Sequence, residues 1–298
     1  MMGFLIVANG IIRSLRPKQW MKNLFIVVPV IFTKKITDLY VDVRMIAAFG
    51  LFCLLAGCVY LINDVVDIEK DRQHTDKKNR PLPSGKITRA QAIISAVLIF
   101  CVCISLSFCL DRFFGVMVSF YIVINICYSF WLKNIIIVDV ITIAIGFILR
   151  VLSGGSIVGV PSSDWIIMST LFISLFMGFS KRRGEILEKN NLEVVGSSRK
   201  VLEFYSPELL DNFLLITATG AIISYAVYTT SDYVYGKFGT HNLIYTTIFV
   251  VYGVLRYYYL IHKIHKKSSN PTDILLCDYP MIINLVLWIL ACILIIGI

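Results

Sequence analysis

Long apolar runs separated by short polar stretches dominate the chain. They lie at about 23–33, 45–63, 90–110, 113–132, 136–155, 164–180, 210–230, 242–262 and 280–298. The pattern predicts nine membrane-spanning helices in one all-α bundle, most of them near the roughly 20 residues needed to cross a hydrocarbon core. Helix follows from the solvent, because lipid offers backbone groups no partner outside the segment. The runs are too long and continuous for barrel strands. The first run is short and contains Pro29, and the fifth carries Asp139 and Arg150, which weakens it on hydropathy alone.

Composition agrees with the pattern. Of 298 residues 57% are hydrophobic and only 16% charged, with a mean hydropathy of +0.78; a soluble domain carries about a quarter charged residues. A soluble enzyme and a disordered chain are both excluded. The net charge of +9 would suggest nucleic acid in a soluble protein. Here it reads as topology and as affinity for an anionic substrate, with no nucleic-acid partner. Putting the N-terminus inside places 21 of the 28 Lys and Arg residues on that side and five opposite. Basic residues gather on the cytoplasmic side, so the chain is expected in the cytoplasmic membrane, its N-terminus and largest basic loops inside. The first apolar stretch is expected to be retained, since it lacks a small-residue cleavage site. The eight cysteines form no CxxC pair and read as small buried hydrophobes.

The segment Tyr60-Leu-Ile-Asn-Asp-Val-Val-Asp-Ile-Glu-Lys-Asp71 closes the second run. On a helix turning about 100° per residue, Asn63, Tyr60, Asp64, Asp67 and Asp71 fall within one arc of about 100°. Three carboxylates so placed repel one another. A hard divalent cation such as Mg2+ relieves this, taking oxygen ligands from protein, water and phosphate. Arg72, His74, Lys77, Lys78 and Arg80 follow at once, and carboxylates beside cations suggest a magnesium–diphosphate site. The alternative is a solvated helix end, disfavoured by the cost of charge at the membrane boundary.

A second polar group comprises Tyr128, Lys133, Asp139 and Arg150. Asp139 and Arg150 share a helix face about 16 Å apart, too far for a direct pair, so each needs another partner. That partner is either substrate or an acid on another span. Two further basic clusters, Arg16-Pro-Lys18-Gln-Trp-Met-Lys22 and Ser180-Lys181-Arg182-Arg183-Gly-Glu185, are either topological features (an interfacial anchor, an inward basic loop) or substrate contacts.

At these residues the chain resembles the UbiA superfamily of intramembrane prenyltransferases. The match is Asn63-Asp64-x-x-Asp67-x-x-x-Asp71 followed by Asn79-Arg80-Pro-Leu-Pro-Ser-Gly85. Within the superfamily it is most similar to the decaprenyl-phosphate phosphoribosyltransferase branch, through Arg16–Asn23, Gly146–Arg150, Ser180–Arg182, Glu203–Ser206 and Pro271–Asp278. The resemblance implies one domain over 1–298, a nine-helix bundle with a central cavity open to the cytoplasm, and Mg2+ on Asp64, Asp67 and Asp71. Asp139 stands alone, with Ile135 and Ile143 four residues away; this departs from the second acidic cluster of prenyl-diphosphate-using members and favours the phosphoribosyl branch.

The expected activity is transfer of 5-phosphoribose from phosphoribosyl diphosphate to a polyprenyl phosphate, in work on cell-wall precursors. Asn63, Asp64, Asp67, Asp71 and Asp139 are the catalytic candidates. Lys18, Lys22, Arg72, Lys77, Arg80, Tyr128, Lys133, Arg150, Lys181 and Arg182 are the substrate-binding ones. The runner-up is the same fold moving a prenyl group from its diphosphate to an aromatic acceptor such as 4-hydroxybenzoate. A transporter of anionic lipid is the remote alternative. Membrane lipid is a partner in each case, and a homo-oligomer is compatible with all three.

Overall fold

Short oxygen-bearing side chains start five of the long helices, each accepting a backbone N–H that the first turn would otherwise leave unpaired. Asp38 does so for Leu39–Val66 (bonds from Tyr40 and Val41), Asp111 for Arg112–Phe130, Ser206 for Pro207–Thr230 and Asp278 for Tyr279–Ile296. Thr88 and Gln91 form a reciprocal capping box on Arg89–Leu110.

The computed structural model describes residues 2–33, 38–73, 77–160, 162–192, 200–263, 274 and 277–297. His74, part of the basic loop after 181, and most of Pro271–Asp278 lie outside these residues. The described residues are α1 (Met2–Ser14), a 3₁₀ segment Pro17–Ile26, α2 (Val28–Ile31), α3 (Leu39–Val66), α4 (Ile68–Gln73), α5 (Arg89–Leu110), α6 (Arg112–Phe130), α7 (Val138–Val158), α8 (Asp164–Leu192), α9 (Pro207–Thr230), α10 (Asp232–Phe238), α11 (Thr247–Lys263) and α12 (Tyr279–Ile296), with further 3₁₀ turns at Lys77–Asn79, Leu132–Asn134, Lys200–Phe204 and Asn242–Thr246.

Seven of these helical stretches are long and apolar enough to cross a membrane: α3, α5, α6, α7, α9, Asn242–Lys263 and α12. The expected sixth span forms the first part of α8, which continues through Lys181, Arg182 and Arg183 to Leu192; its polar half separates it from the seven. The expected first span at 23–33 is not one helix. Pro17 and Pro29 each start a new turn, since a proline supplies no backbone N–H to a preceding helix. This bent segment packs deep against α7, where a Cβ on Gly154 would stand 1.9 Å from the Ile26 carbonyl oxygen; only glycine admits that approach.

Four apolar clusters organise the described residues of the bundle. The largest joins Ile26, Phe52, Leu55, Phe114, Val118 and Leu149; the next joins Val140, Phe176, Leu210, Leu214 and Tyr257. The outward faces are apolar too: Ile94, Leu98 and Val102 on α5, with Leu285, Leu290 and Leu294 on α12, are exposed. Apolar faces turned outward on long helices are what lipid requires. The chain is a multi-pass membrane protein.

Candidate active site

The polar residues singled out above gather mostly at one end of the bundle. There α3 stops at Asp67 and the chain restarts as α4. The break divides the three carboxylates. Asp64 and Asp71 turn toward each other and meet one guanidinium nitrogen of Arg80, at 3.1 and 2.7 Å. Asp67 faces instead the Lys133 ammonium, 3.1 Å from both carboxylate oxygens. Asp64 also receives Arg16, and Lys77 stands 4.0 Å from Asp71. Asn63 accepts from the Ser129 hydroxyl of α6.

Asp64 and Asp71 are 2% and 5% exposed. Burying such acids is costly unless cations and hydrogen bonds compensate, and Arg16, Arg80 and Lys77 do so. Arg16 reaches its place from a left-handed backbone conformation (φ 52°), and its guanidinium lies 5.0 Å from the centre of the Tyr60 ring.

A second node lies where α7 begins. Asp139, fully buried, accepts from Arg182 Nε at 2.6 Å and from the Tyr205 hydroxyl at 2.8 Å. Arg182, also fully buried, reaches Glu185 at 2.6 Å and the Tyr128 hydroxyl at 3.2 Å. Lys181 approaches the same Glu185 at 3.8 Å. Burial pushes the Tyr205 hydroxyl pKa up, and the Asp139 charge adds to this, so Tyr205 remains a proton donor at neutral pH.

Between the nodes is a strained turn. Ile137 has φ 67° and ψ −44°, and the Val138 N–H bonds the Ile136 carbonyl at 2.7 Å. This is a three-residue γ-turn with positive φ at its centre, the rare and strained form. A β-branched residue there costs on the order of 1–3 kcal/mol.

Not every candidate converges. Arg72 is exposed and pairs with Glu69. Lys18 is exposed and Lys22 half-buried on the 3₁₀ segment. Arg150 lies deeper, 5% exposed. It donates to Asn23 Oδ1 (2.8 Å), the Gly146 carbonyl (2.7 Å) and the Tyr121 hydroxyl (3.0 Å), and it lies near the rings of Phe52, Tyr121 and Phe147. Its partners among the described residues are neutral, so of the two alternatives for its partner the acid on another span is not seen there. Sequence reading missed Ser129, Glu185 and Tyr205 as site members and did not give Arg16 a role. Arg16, Glu185 and Tyr205 lay within segments already singled out, where their residue types alone pointed to no partner.

Among the described residues, no three His, Cys, Asp or Glu side chains form one group around a common point. The donor set still fits Mg2+. Two carboxylates, hard oxygen donors, converge on a position held by a cationic nitrogen, and Mg2+ is bound through one or two carboxylates plus phosphate and water.

Residues 24–285 match the model of the UbiA prenyltransferase family. The chain belongs to this family. As a UbiA protein it is a transferase, and its relatives refine the comparison. It is 34% identical over 233 residues to a decaprenyl-phosphate phosphoribosyltransferase of Corynebacterium glutamicum, covering 74% of this chain and 68% of that one. Identity to the protein of the same name from Mycobacterium tuberculosis is 28% over 286 residues, 94% and 92% of the two chains. Its fold superposes on a UbiA homologue from Archaeoglobus fulgidus bound to GPP and Mg2+, with a TM-score of 0.71 at 19% identity over 97% of this chain and 100% of that one. This UbiA chain thus shares the fold of that homologue.

Proposed function

We propose that this UbiA protein transfers 5-phosphoribose from phosphoribosyl diphosphate to a polyprenyl phosphate, in the cytoplasmic membrane with its active site facing the cytoplasm. The observation that carries the reading is similarity to decaprenyl-phosphate phosphoribosyltransferases along nearly the whole chain. The charge inventory supports it. Arg16, Lys77, Arg80 and Lys133 surround three carboxylates at one end of the bundle, an excess of cations suited to a donor with two phosphate groups and an acceptor with one. The basic-residue asymmetry supports an inward N-terminus, and nine crossings follow if α8 and the bent first segment are counted with the other seven.

In the reaction the bond from ribose C1 to the diphosphate oxygen breaks, and one forms from C1 to an oxygen of the acceptor phosphate. The diphosphate departs with the electron pair. Asp64 and Asp71 would hold Mg2+, joined by Asp67 if it exchanges Lys133 for the ion, and the ion when bound would neutralise charge on the leaving diphosphate. Arg80 and Lys77, beside Asp64 and Asp71, would contact phosphate oxygens of the donor, and Arg pairs with phosphate bidentately. Lys133 lies beside Asp67 to contact the same group. The acceptor phosphate is already ionised, so no strong general base is needed. Asp139, fully buried and held by Arg182 and Tyr205, would reach a developing oxocarbenium centre only by exchanging one of these partners for substrate. The lipid tail would run along the apolar helices.

The test uses purified protein in detergent with Mg2+ and phosphoribosyl diphosphate labelled in the ribose. One arm adds polyprenyl phosphate; the other replaces both substrates with a prenyl diphosphate and 4-hydroxybenzoate. Label entering lipid in the first arm supports the reading. Product only in the second arm replaces it with aromatic prenyl transfer.

A further inference from the structure

Tyr205 lies outside the acidic motif and 66 residues from Asp139 in the chain, yet its hydroxyl sits at the junction of the two nodes. It accepts the Ile137 N–H at 2.7 Å and donates to Asp139 Oδ1 at 2.8 Å. Ile137 is the centre of the strained γ-turn. On one side of that turn the 3₁₀ segment Leu132–Asn134 carries Lys133 to Asp67. On the other side α7 carries Asp139 to Arg182. The 3₁₀ turn Lys200–Phe204, which leads directly into Tyr205, packs on Leu132–Asn134.

Strained backbone persists only where its surroundings hold it. A β-branched residue has no intrinsic reason to adopt φ 67°, and the amide of this one is tied to a buried tyrosine. The hydroxyl is already committed to a carboxylate on the other side. One oxygen therefore fixes the distance between the turn that aims Lys133 and the helix that aims Asp139.

We propose that Tyr205 is a positioning residue for the transfer reaction: its hydroxyl holds the Ile137 turn in its strained form and thereby keeps Lys133 on Asp67 at the donor end of the site. The assignment of the donor rests on the function proposed above; the mechanical claim does not.

The experiment compares wild type, Tyr205→Phe, and Tyr205→Phe combined with Ile137→Gly. Phenylalanine keeps the ring and removes the clamp. Glycine adopts positive φ at little cost, so it restores the turn without the hydroxyl. The first readout is the rate at which an amine-reactive acylating reagent modifies Lys133, followed by peptide mass spectrometry. In the structure this side chain is 13% exposed. Tyr205→Phe should raise the rate about tenfold, the population change that 1.4 kcal/mol produces, and the double variant should return close to wild type. The second readout is kinetic: Tyr205→Phe should raise the apparent KM for phosphoribosyl diphosphate more than it lowers kcat, with the double variant again recovering.

Wild-type labelling in Tyr205→Phe overturns the proposal. So does equal labelling in the single and double variants, because loss of a merely structural hydroxyl is not repaired by a glycine at another position. If wild type transfers no phosphoribose, the substrate reading fails, and the labelling contrast still decides the role of Tyr205.

Discussion

Asp64 on α3 and Asp71 on α4 meet through a single nitrogen of Arg80, at 3.1 and 2.7 Å. Two buried acids seven residues apart are thus brought together by a helix break and by a cation that follows them in the chain. Arg80 compensates both acids at once, and under the proposed function a divalent ion with phosphate would take the place of its guanidinium.

Asp64→Asn should abolish turnover while the protein folds. The amide is isosteric, and Arg16 and Arg80 are each partly exposed and able to hydrate. We expect kcat/KM to fall by at least about 100-fold, the upper range for removing even an outer-shell metal partner. Excess Mg2+ should restore only part. Near-normal activity with an unchanged Mg2+ requirement would remove Asp64 from the metal set.

Asp67 and Lys133 should behave as one unit. Asp67→Asn and Lys133→Met are each expected to reduce activity, and the double variant should lose less than the two losses combined. Contacting charged residues typically couple by about 0.5–3 kcal/mol. Strict additivity in a double-mutant cycle of kcat/KM would show that the pair does not act together.

Arg150 is expected to report on stability. Its three hydrogen bonds go to neutral groups, and Arg150→Ala strands Asn23 and Tyr121, both buried. Each stranded group costs about 1–3 kcal/mol, so the detergent melting temperature should fall clearly. Arg150→Lys should recover little, because one ammonium cannot span three diverging acceptors. Weakened affinity for a phosphorylated substrate at an unchanged melting temperature would instead place Arg150 in the substrate site.

Asp278 accepts from Arg256 of α11 at 2.9 Å and caps the start of α12. The hydrogen bond from Arg256 holds its carboxyl below the ordinary 3.8. A depressed folded-state pKa contributes stability above the unfolded value, lost as pH falls through the folded one. Asp278→Asn retains a capping side chain and loses only the charge. Its melting temperature should lie slightly below wild type at pH 7, and the gap should close as pH falls below 3.8. A constant gap would assign the effect to capping.

Orientation is checked in intact cells, in a background whose exposed native cysteines, including Cys277, are replaced. A membrane-impermeant thiol reagent should label Lys237→Cys and spare Lys86→Cys. The reverse would invert the charge-based topology.

The sequence by itself determined the solvent, the helical class and the chemistry of the first acidic motif. Those properties are local: hydropathy over some twenty residues marks a span, and Asn63, Asp64, Asp67 and Asp71 are neighbours along the chain. Only the tertiary structure decided which acid meets which cation. Arg16 finds Asp64 across 48 residues and Arg182 finds Asp139 across 43, and no helical periodicity reaches that far. The break after Val66 defeated the single-face expectation, because an ideal helix carried through Asp67 turns all three acids the same way. Pro29 signalled an irregular first span, but its packing against Gly154 depends on a backbone 125 residues later. Tyr205 was legible only as part of a segment; its role emerged when folding placed its hydroxyl between the Ile137 amide and the Asp139 carboxylate, two groups whose need for a partner exists only once they are buried.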